Sequence, residues 1–326
     1  MAETRSKQYK IICDSTSDFE IGYHNPNIVI INTPVFIGQT EYTDKTPDEF
    51  YERQREAFLD NAISSEQFKT HISTSTPPLG EIEDAMRKIL EGGQDAIYAT
   101  MASTLSSTFR AAQIICEDLN DEGFEHRAIC IDTLCMSAAG SMLLRTAVEK
   151  CDTTEEVLRF ILDKRYDIEH LFAVEEFEAF KGSGRYPDTL LSLLQSVHAK
   201  PLMRFDFISD GSRHPFHDKM SLSMKLICKR MVNLLKETAD PEHKDVIVLH
   251  AQNQAAENTL INTVGQKAPD FNLMTGSDFR MGPAVGVHLG YTAIGMIFFR
   301  QKGTYENAEK ARREMRLEDS LYGYEL

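Results

Sequence analysis

Apolar and polar positions along the chain follow two rhythms. Short β-branched and aliphatic runs, Tyr9–Asp14, Asn27–Asn32, Ala96–Met101 and Arg127–Asp132, are separated by longer amphipathic stretches. This alternation predicts βαβ units and a parallel sheet over the first half. The runs lead into hydroxyl-rich sequence, as expected where strands deliver loops to a ligand crevice. Thr46-Pro47-Asp48-Glu49 has the N-cap, first-turn proline and returning glutamate of a helix start. Thr76-Pro77 opens the next helix in the same way, running toward Gly92-Gly93. Thr153-Thr154-Glu155-Glu156 is a further capping box, leading into the second half.

Beyond it, strands are predicted at His170–Val174, Ala199–Met203, Asp245–His250 and Ala293–Arg300. Helices near Asp188–Val197, Ser221–Lys236 and Gln254–Gly265 separate them, and Asp210-Gly211 is a turn signal that closes a hairpin. The pattern describes a second α/β domain of mixed strand direction. The boundary falls within 150–170, giving domains over residues 1–160 and 161–302 with no flexible linker. The remainder, 303–326, is rich in Glu, Arg and Ala and reads as a charged, solvated helical tail.

Composition narrows the function classes. The chain has 326 residues, 42% hydrophobic and 26% charged, enough for two domains that each bury a core. No run approaches the roughly 18 uninterrupted apolar residues of a membrane helix, and the start, MAETRSKQYKIIC, has no signal-peptide-like apolar stretch. A cytoplasmic location without membrane insertion is the expectation. The six cysteines sit mostly inside apolar runs and read as buried thiols. Cys130 and Cys135 lack the spacing of a zinc site, so no metal is expected. A net charge of −15 repels phosphate backbones and anionic lipid surfaces, which argues against nucleic-acid partners. An anionic ligand would need local donors that outweigh this field.

Three hydroxyl-rich loops could supply them: Asp14-Ser15-Thr16-Ser17-Asp18, Ser73-Thr74-Ser75-Thr76-Pro77 and Ser103-Thr104-Leu105-Ser106-Ser107-Thr108. Helix capping alone accounts for many such clusters. Three in one α/β domain favour an anion site, where hydroxyls, free backbone N–H groups and helix N-termini converge. No G-x-S-x-G elbow, phosphate loop or dinucleotide glycine pattern accompanies them. Near the C-terminus, His288 lies in the glycine-rich stretch Arg280–Gly290 among apolar neighbours, where a histidine is more often a satisfied core residue. Lys181-Gly182-Ser183-Gly184-Arg185 reads as a turn.

Taken in order, Asp-Ser-Thr-Ser-Asp after the first strand, Thr-Ser-x-Pro at 74–77 and Leu-Ser-x-Thr-Phe at 105–109 resemble the DegV family. So do Gly184-Arg185, Lys200-Pro201 and Gly282–Gly290 with His288. The resemblance implies a two-domain α/β fold: a Rossmann-like N-terminal α/β/α domain with a parallel sheet, and a C-terminal α/β domain with a mixed sheet. It implies a binding protein, not an enzyme, that holds a long-chain fatty acid between the domains without a cofactor. In bacteria that have one, a fatty acid kinase then phosphorylates the presented acid. Thr74 and Ser106 would hold the carboxylate, with Ser75, Ser107, His288 and Arg185 also at the ligand. The chain departs from the family pattern at Ser107, Ser183 and Tyr291-Thr292, and only Lys219 represents a basic residue expected before the helix near Ser221. The competing expectation is a hydrolase or acyl/phosphoryl transferase using Ser106 or Ser75 with His288.

Overall fold

In the computed structural model the chain is described over residues 7–43, 47–59, 72–177, 198–209, 212–276 and 279–326, with Ala179, Ser192 and Ser196. The first half runs β1 (Tyr9–Asp14), β2 (Ile28–Ile31), β3 (Val35–Ile37), β4 (Thr40–Tyr42), α1 (Pro47–Leu59), β5 (Ile72–Thr74), α2 (Leu79–Glu91), β6 (Asp95–Thr100), α3 (Thr108–Asp121), β7 (Ala128–Asp132), α4 (Ala138–Lys150) and α5 (Thr154–Lys164). The second runs β8 (Ile168–Ala173), β9 (Lys200–Phe207), β10 (Arg213–Ser221), α6 (Met224–Thr238), β11 (Asp245–His250), α7 (Gln254–Lys267), β12 (Asn272–Met274), α8 (Pro283–Leu289), β13 (Ile294–Phe299), α9 (Glu306–Glu314) and β14 (Leu321–Tyr322).

Two main sheets result, as the α/β expectation requires. The first has the order β14-β7-β6-β1-β2, with β1, β2, β6 and β7 parallel. Strand β7 is buried at every position, so its apolar run is continuous instead of alternating, the mark of a strand covered on both faces. The second sheet, β10-β9-β8-β13-β11-β12, is antiparallel except where β12 joins β11. A small antiparallel sheet, β4-β3-β5, stands apart.

Helix starts follow local chemistry. The Thr153–Glu156 capping box closes in both directions at α5. Helix α2 begins two residues later than Thr76-Pro77 suggested, because Pro78 keeps Pro77 out of the helical region and takes the N-cap place itself. Thr46, the Asp210-Gly211 turn and most of the expected 188–197 helix lie outside the described residues. Among those described, no helix is long and apolar enough to cross a membrane.

One apolar core joins the two sheets. It combines Ile11, Ile97 and Ile129 from the first with Phe172, Met203 and Ile247 from the second. Helix α4 lies within it. Its small residues Ala138, Ala139, Gly140 and Ser141 are all buried, and a Cβ on Gly140 would sit 2.8 Å from Ser17 Oγ.

The tail is not the solvated helix its charge pattern suggested. Ala308 and Ala311 of α9 are buried beside Tyr166 and Phe207, and Arg312 pairs with Asp163 and Asp167. The chain then crosses back, pairing Leu321 with Ile131 and Tyr322 with Cys130 at the edge of the first sheet. A two-residue strand carries no periodicity, so composition alone described this segment.

The second sheet buries charge. Arg204 Nε donates to Glu169 Oε1 at 2.9 Å, and Arg300 Nη2 donates to Asp206 Oδ1 at 2.9 Å, all four residues being buried. His170 on β8 lies nearby, its Nδ1 without a hydrogen-bond partner among the described residues. Burial, aided by the Arg213 charge, pushes its pKa from 6.5 down to about 3. The unfolded chain therefore takes up a proton near pH 6.5 that the native state refuses until about pH 3. Stability should fall as pH drops through that window, by up to about 1.4 kcal/mol per pH unit from this group. His170→Phe should lose about 2 kcal/mol less than the wild type between pH 7 and 5, read from urea midpoints. Equal losses in both proteins would show that His170 is not held neutral.

Candidate functional site

The three hydroxyl-rich loops meet at one cavity of about 90 Å³ between the sheets. A site needs only about 10–15 Å³ to hold a water, so this one has room for a polar headgroup and the start of a chain. Its polar wall comes from the carboxyl ends of the first sheet's strands and the small sheet: Asp14, Thr16, Thr33, Thr74, Ser75, Ser106 and Thr108. Its apolar wall comes from both halves, through Met101, Leu105, Met136, Phe172, Pro215 and the α8 residues Ala284, Val285 and Leu289. His288 lines the cavity from the last turn of α8.

Backbone pairing fixes each contributor. Thr74 ends β5, registered opposite Val35, and the Ser75 N–H donates to Pro34 O at 3.4 Å. Ser106 lies in a turn whose amides at Leu105 and Ser106 both donate to Ala102 O, at 2.9 and 3.2 Å. Helix α8 starts at Gly282-Pro283, with proline where its missing N–H is harmless. This places His288 Nε2 3.4 Å from Thr74 Oγ1.

The N-cap side chains do not account for the second and third loops. The N-cap residues of α2 and α3, Pro78 and Ser107, make no side-chain capping bond. Ser106 Oγ is 2.7 Å from Thr108 Oγ1 and accepts from the Thr108 amide at 3.3 Å. The first loop is different. Asp14 caps its own turn, accepting the Thr16 amide at 2.9 Å and the Thr16 hydroxyl, while Tyr98 donates to its other oxygen at 3.3 Å. Burial raises the Asp14 carboxyl above its ordinary range, against these donors. Here the structural role explains the residues.

Thr74, Ser106, Ser75 and His288 thus line one cavity, with Ser75 exposed at its rim and donating to Thr76 O at 3.1 Å. Ser107 does not join them. It is exposed on the outer side of its loop, in a separate recess with Ser103, Thr104, Arg110, Glu318 and Asp319. Arg185 lies outside the described residues. Among the described residues no cluster of three potential metal ligands occurs. Thr33 was missed in the sequence. The signal was present in Asn32-Thr33-Pro34, where a hydroxyl follows a strand directly and a proline holds it extended.

Residues 8–301 match the family described as "Uncharacterised protein, DegV family". A DegV domain-containing protein of Clostridium acetobutylicum is 22% identical over 303 residues, covering 89% of this chain and 98% of the relative. Among solved structures, a hypothetical protein from Thermotoga maritima, described as revealing fatty acid binding function, superposes with a TM-score of 0.67 at 24% identity, covering 90% of this chain and 99% of that one. The B3 protein of the Streptococcus pneumoniae fatty acid kinase, loaded with linoleic acid, gives 0.72 at 14% identity, with 90% and 100% covered. The tail from residue 302 onward lies beyond the family match.

The seat of α8 can be tested directly. Tyr51 OH donates to Met281 O at 2.8 Å and Gln54 Nε2 to Gly286 O at 3.2 Å, docking α1 on α8. A Cβ on Gly286 would lie 1.9 Å from Tyr51 Oη. Gly286→Ala should therefore cost about 1–3 kcal/mol in a denaturant titration. An unchanged midpoint would mean that the helix seat can yield without loss.

Proposed function

Because this chain belongs to the DegV family, we propose that it binds a long-chain fatty acid between its two domains, residues 1–160 and 161–302. The observation that carries this reading is a single cavity with hydroxyls on one wall and aliphatic and aromatic side chains on the other. The carboxylate is held by Thr74 and Ser106, with Ser75 and His288 beside it, and the tail follows the apolar wall. The linoleic-acid-loaded kinase protein that shares this fold supports the ligand class and supports presentation of the acid to a fatty acid kinase. A cytoplasmic setting suits such a partner.

The magnitudes agree. Burying a methylene contributes about 0.8 kcal/mol, so a palmitoyl tail gains roughly 12 kcal/mol before ordering costs. The headgroup then has only to orient the ligand, at about 1.5–3 kcal/mol per hydrogen bond to a charged group. Hydroxyls suffice. The transferase or hydrolase alternative fits less well, since Ser106 is paired with Thr108 and Ser75 with Thr76 O, while the hydroxyl at 3.4 Å from His288 Nε2 belongs to Thr74.

Protein purified from cells should release a long-chain fatty acid at one molecule per chain, seen by native mass spectrometry and solvent extraction. Empty protein that also refuses added palmitate would overturn the assignment. The Thr74→Ala, Ser106→Ala double variant should bind palmitate at least about tenfold more weakly. Unchanged affinity would remove these two residues from the headgroup site.

A further inference from the structure

One threonine on the cavity wall carries a buried hydroxyl with no hydrogen-bond partner among the described residues. Thr33 is only 4% exposed, lines the cavity, and its Oγ1 has no hydrogen-bond partner among the described residues. A buried hydroxyl without a partner is uncommon and calls for a reason. The backbone around it is held on both sides. The Thr33 amide donates to Ser15 Oγ at 2.9 Å, tying it to the first loop. The next residue, Pro34, accepts the Ser75 amide through its carbonyl, tying it to the second. Thr33 therefore stands beside Thr74 and Ser75, on the polar wall of the cavity. Its position before proline keeps its backbone extended.

The other polar groups on this wall already have partners. Both Asp14 oxygens accept from Thr16 or Tyr98, Ser106 Oγ is paired with Thr108, and Thr74 Oγ1 faces His288. A ligand bonding to those hydroxyls exchanges one partner for another, so the net gain is small. Thr33 has no partner to give up among the described residues, so a bond from it competes only with water. An anion here also has the buried Asp14 carboxyl on the same wall, which makes an additional donor worth more.

Resting on the fatty-acid reading of this cavity, we propose that the Thr33 hydroxyl donates a hydrogen bond to the ligand's carboxylate and is a determinant of its recognition. This predicts two effects that a purely structural threonine would not combine. Replacing the hydroxyl by an isosteric methyl should leave the ligand-free fold as stable or more stable, because no partner is lost. The same change should weaken binding of the anion.

The test uses delipidated full-length protein, with palmitate as probe. Thr33→Val should melt at or above the wild-type temperature without ligand, yet bind palmitate about tenfold more weakly. Thr33→Ser, which keeps the hydroxyl and loses the methyl, should retain affinity to within about threefold. Wild-type affinity in Thr33→Val would overturn the proposal. So would equal losses in both variants, which would make Thr33 a matter of shape. A clear drop in the ligand-free melting temperature of Thr33→Val would do the same, by showing that the hydroxyl has a structural partner. If the wild type itself refuses palmitate, the fatty-acid reading has failed and the Thr33 proposal falls with it, an outcome distinct from the other three.

Discussion

The carboxylate of Asp18 joins the parts that must not move. One oxygen accepts the Gly282 amide at 2.8 Å, at the start of the helix carrying His288, and the other accepts the Ser137 hydroxyl at the start of α4. Ser141 of the same helix donates to the Asp18 carbonyl at 3.3 Å. A buried anion bonded at the N-termini of two helices is in its most favourable electrostatic setting. The small residues of α4 then let that helix lie against the Ser15–Ser17 turn without forcing the sheets apart.

That arrangement has a conformational cost. Asp18, Leu134 and Ser137 all adopt positive φ without being glycine. Such residues cost on the order of 1–3 kcal/mol each and persist only where their surroundings over-determine them. The surroundings here do so. The Leu134 amide donates to Asp132 Oδ1 at 2.8 Å, and its carbonyl accepts from the buried Arg213 at 2.6 Å. Arg213 also holds the carbonyls of Arg165 and Ile168, and its own carbonyl accepts from Thr104 in the third hydroxyl loop. Met136, between the strained positions, lines the cavity. One buried cation thus links the strained loop, the second sheet and a cavity loop.

What could be read in the sequence follows from how each element signals itself. Strands β1 and β11 were visible to the residue, because long β-branched runs bounded by polar residues have few competing readings. The small sheet β4-β3-β5 and strand β14 escaped, being two or three residues long and fixed by tertiary pairing alone. The buried Arg204, Asp206 and Arg300 contradict the usual place of charge and are legible only once their partners are seen. Among site residues, Thr74, Ser106 and His288 stood out through loop composition and an ordered family pattern, and they line the same cavity. Composition could not tell the inner face of a loop from the outer, so Ser107 was grouped with its neighbour Ser106. Thr33 carried a weaker signal, one hydroxyl between a strand and a proline, and its missing partner is visible only in the structure.

Among the described residues the polar wall offers hydroxyls and the Asp14 carboxyl and no arginine, which on the proposed reading suits a protein that passes its ligand on. A tail buried as proposed would contribute roughly 12 kcal/mol before ordering costs, so the headgroup would need to add little. A charge-paired headgroup would deepen the well further and enclose the carboxylate that a partner has to reach. Hydroxyl donors would orient the acid at smaller cost to its departure. Leu105 and Ser106 line both the cavity and the outer recess that holds Ser107, Arg110, Glu318 and Asp319. The loop at 103–107 thus borders both the cavity and a recess on the outer surface. On that surface the chain's negative charge would not oppose binding of an acid held, as proposed, by its tail. Glu318 and Asp319 would instead favour a partner that approaches with positive charge.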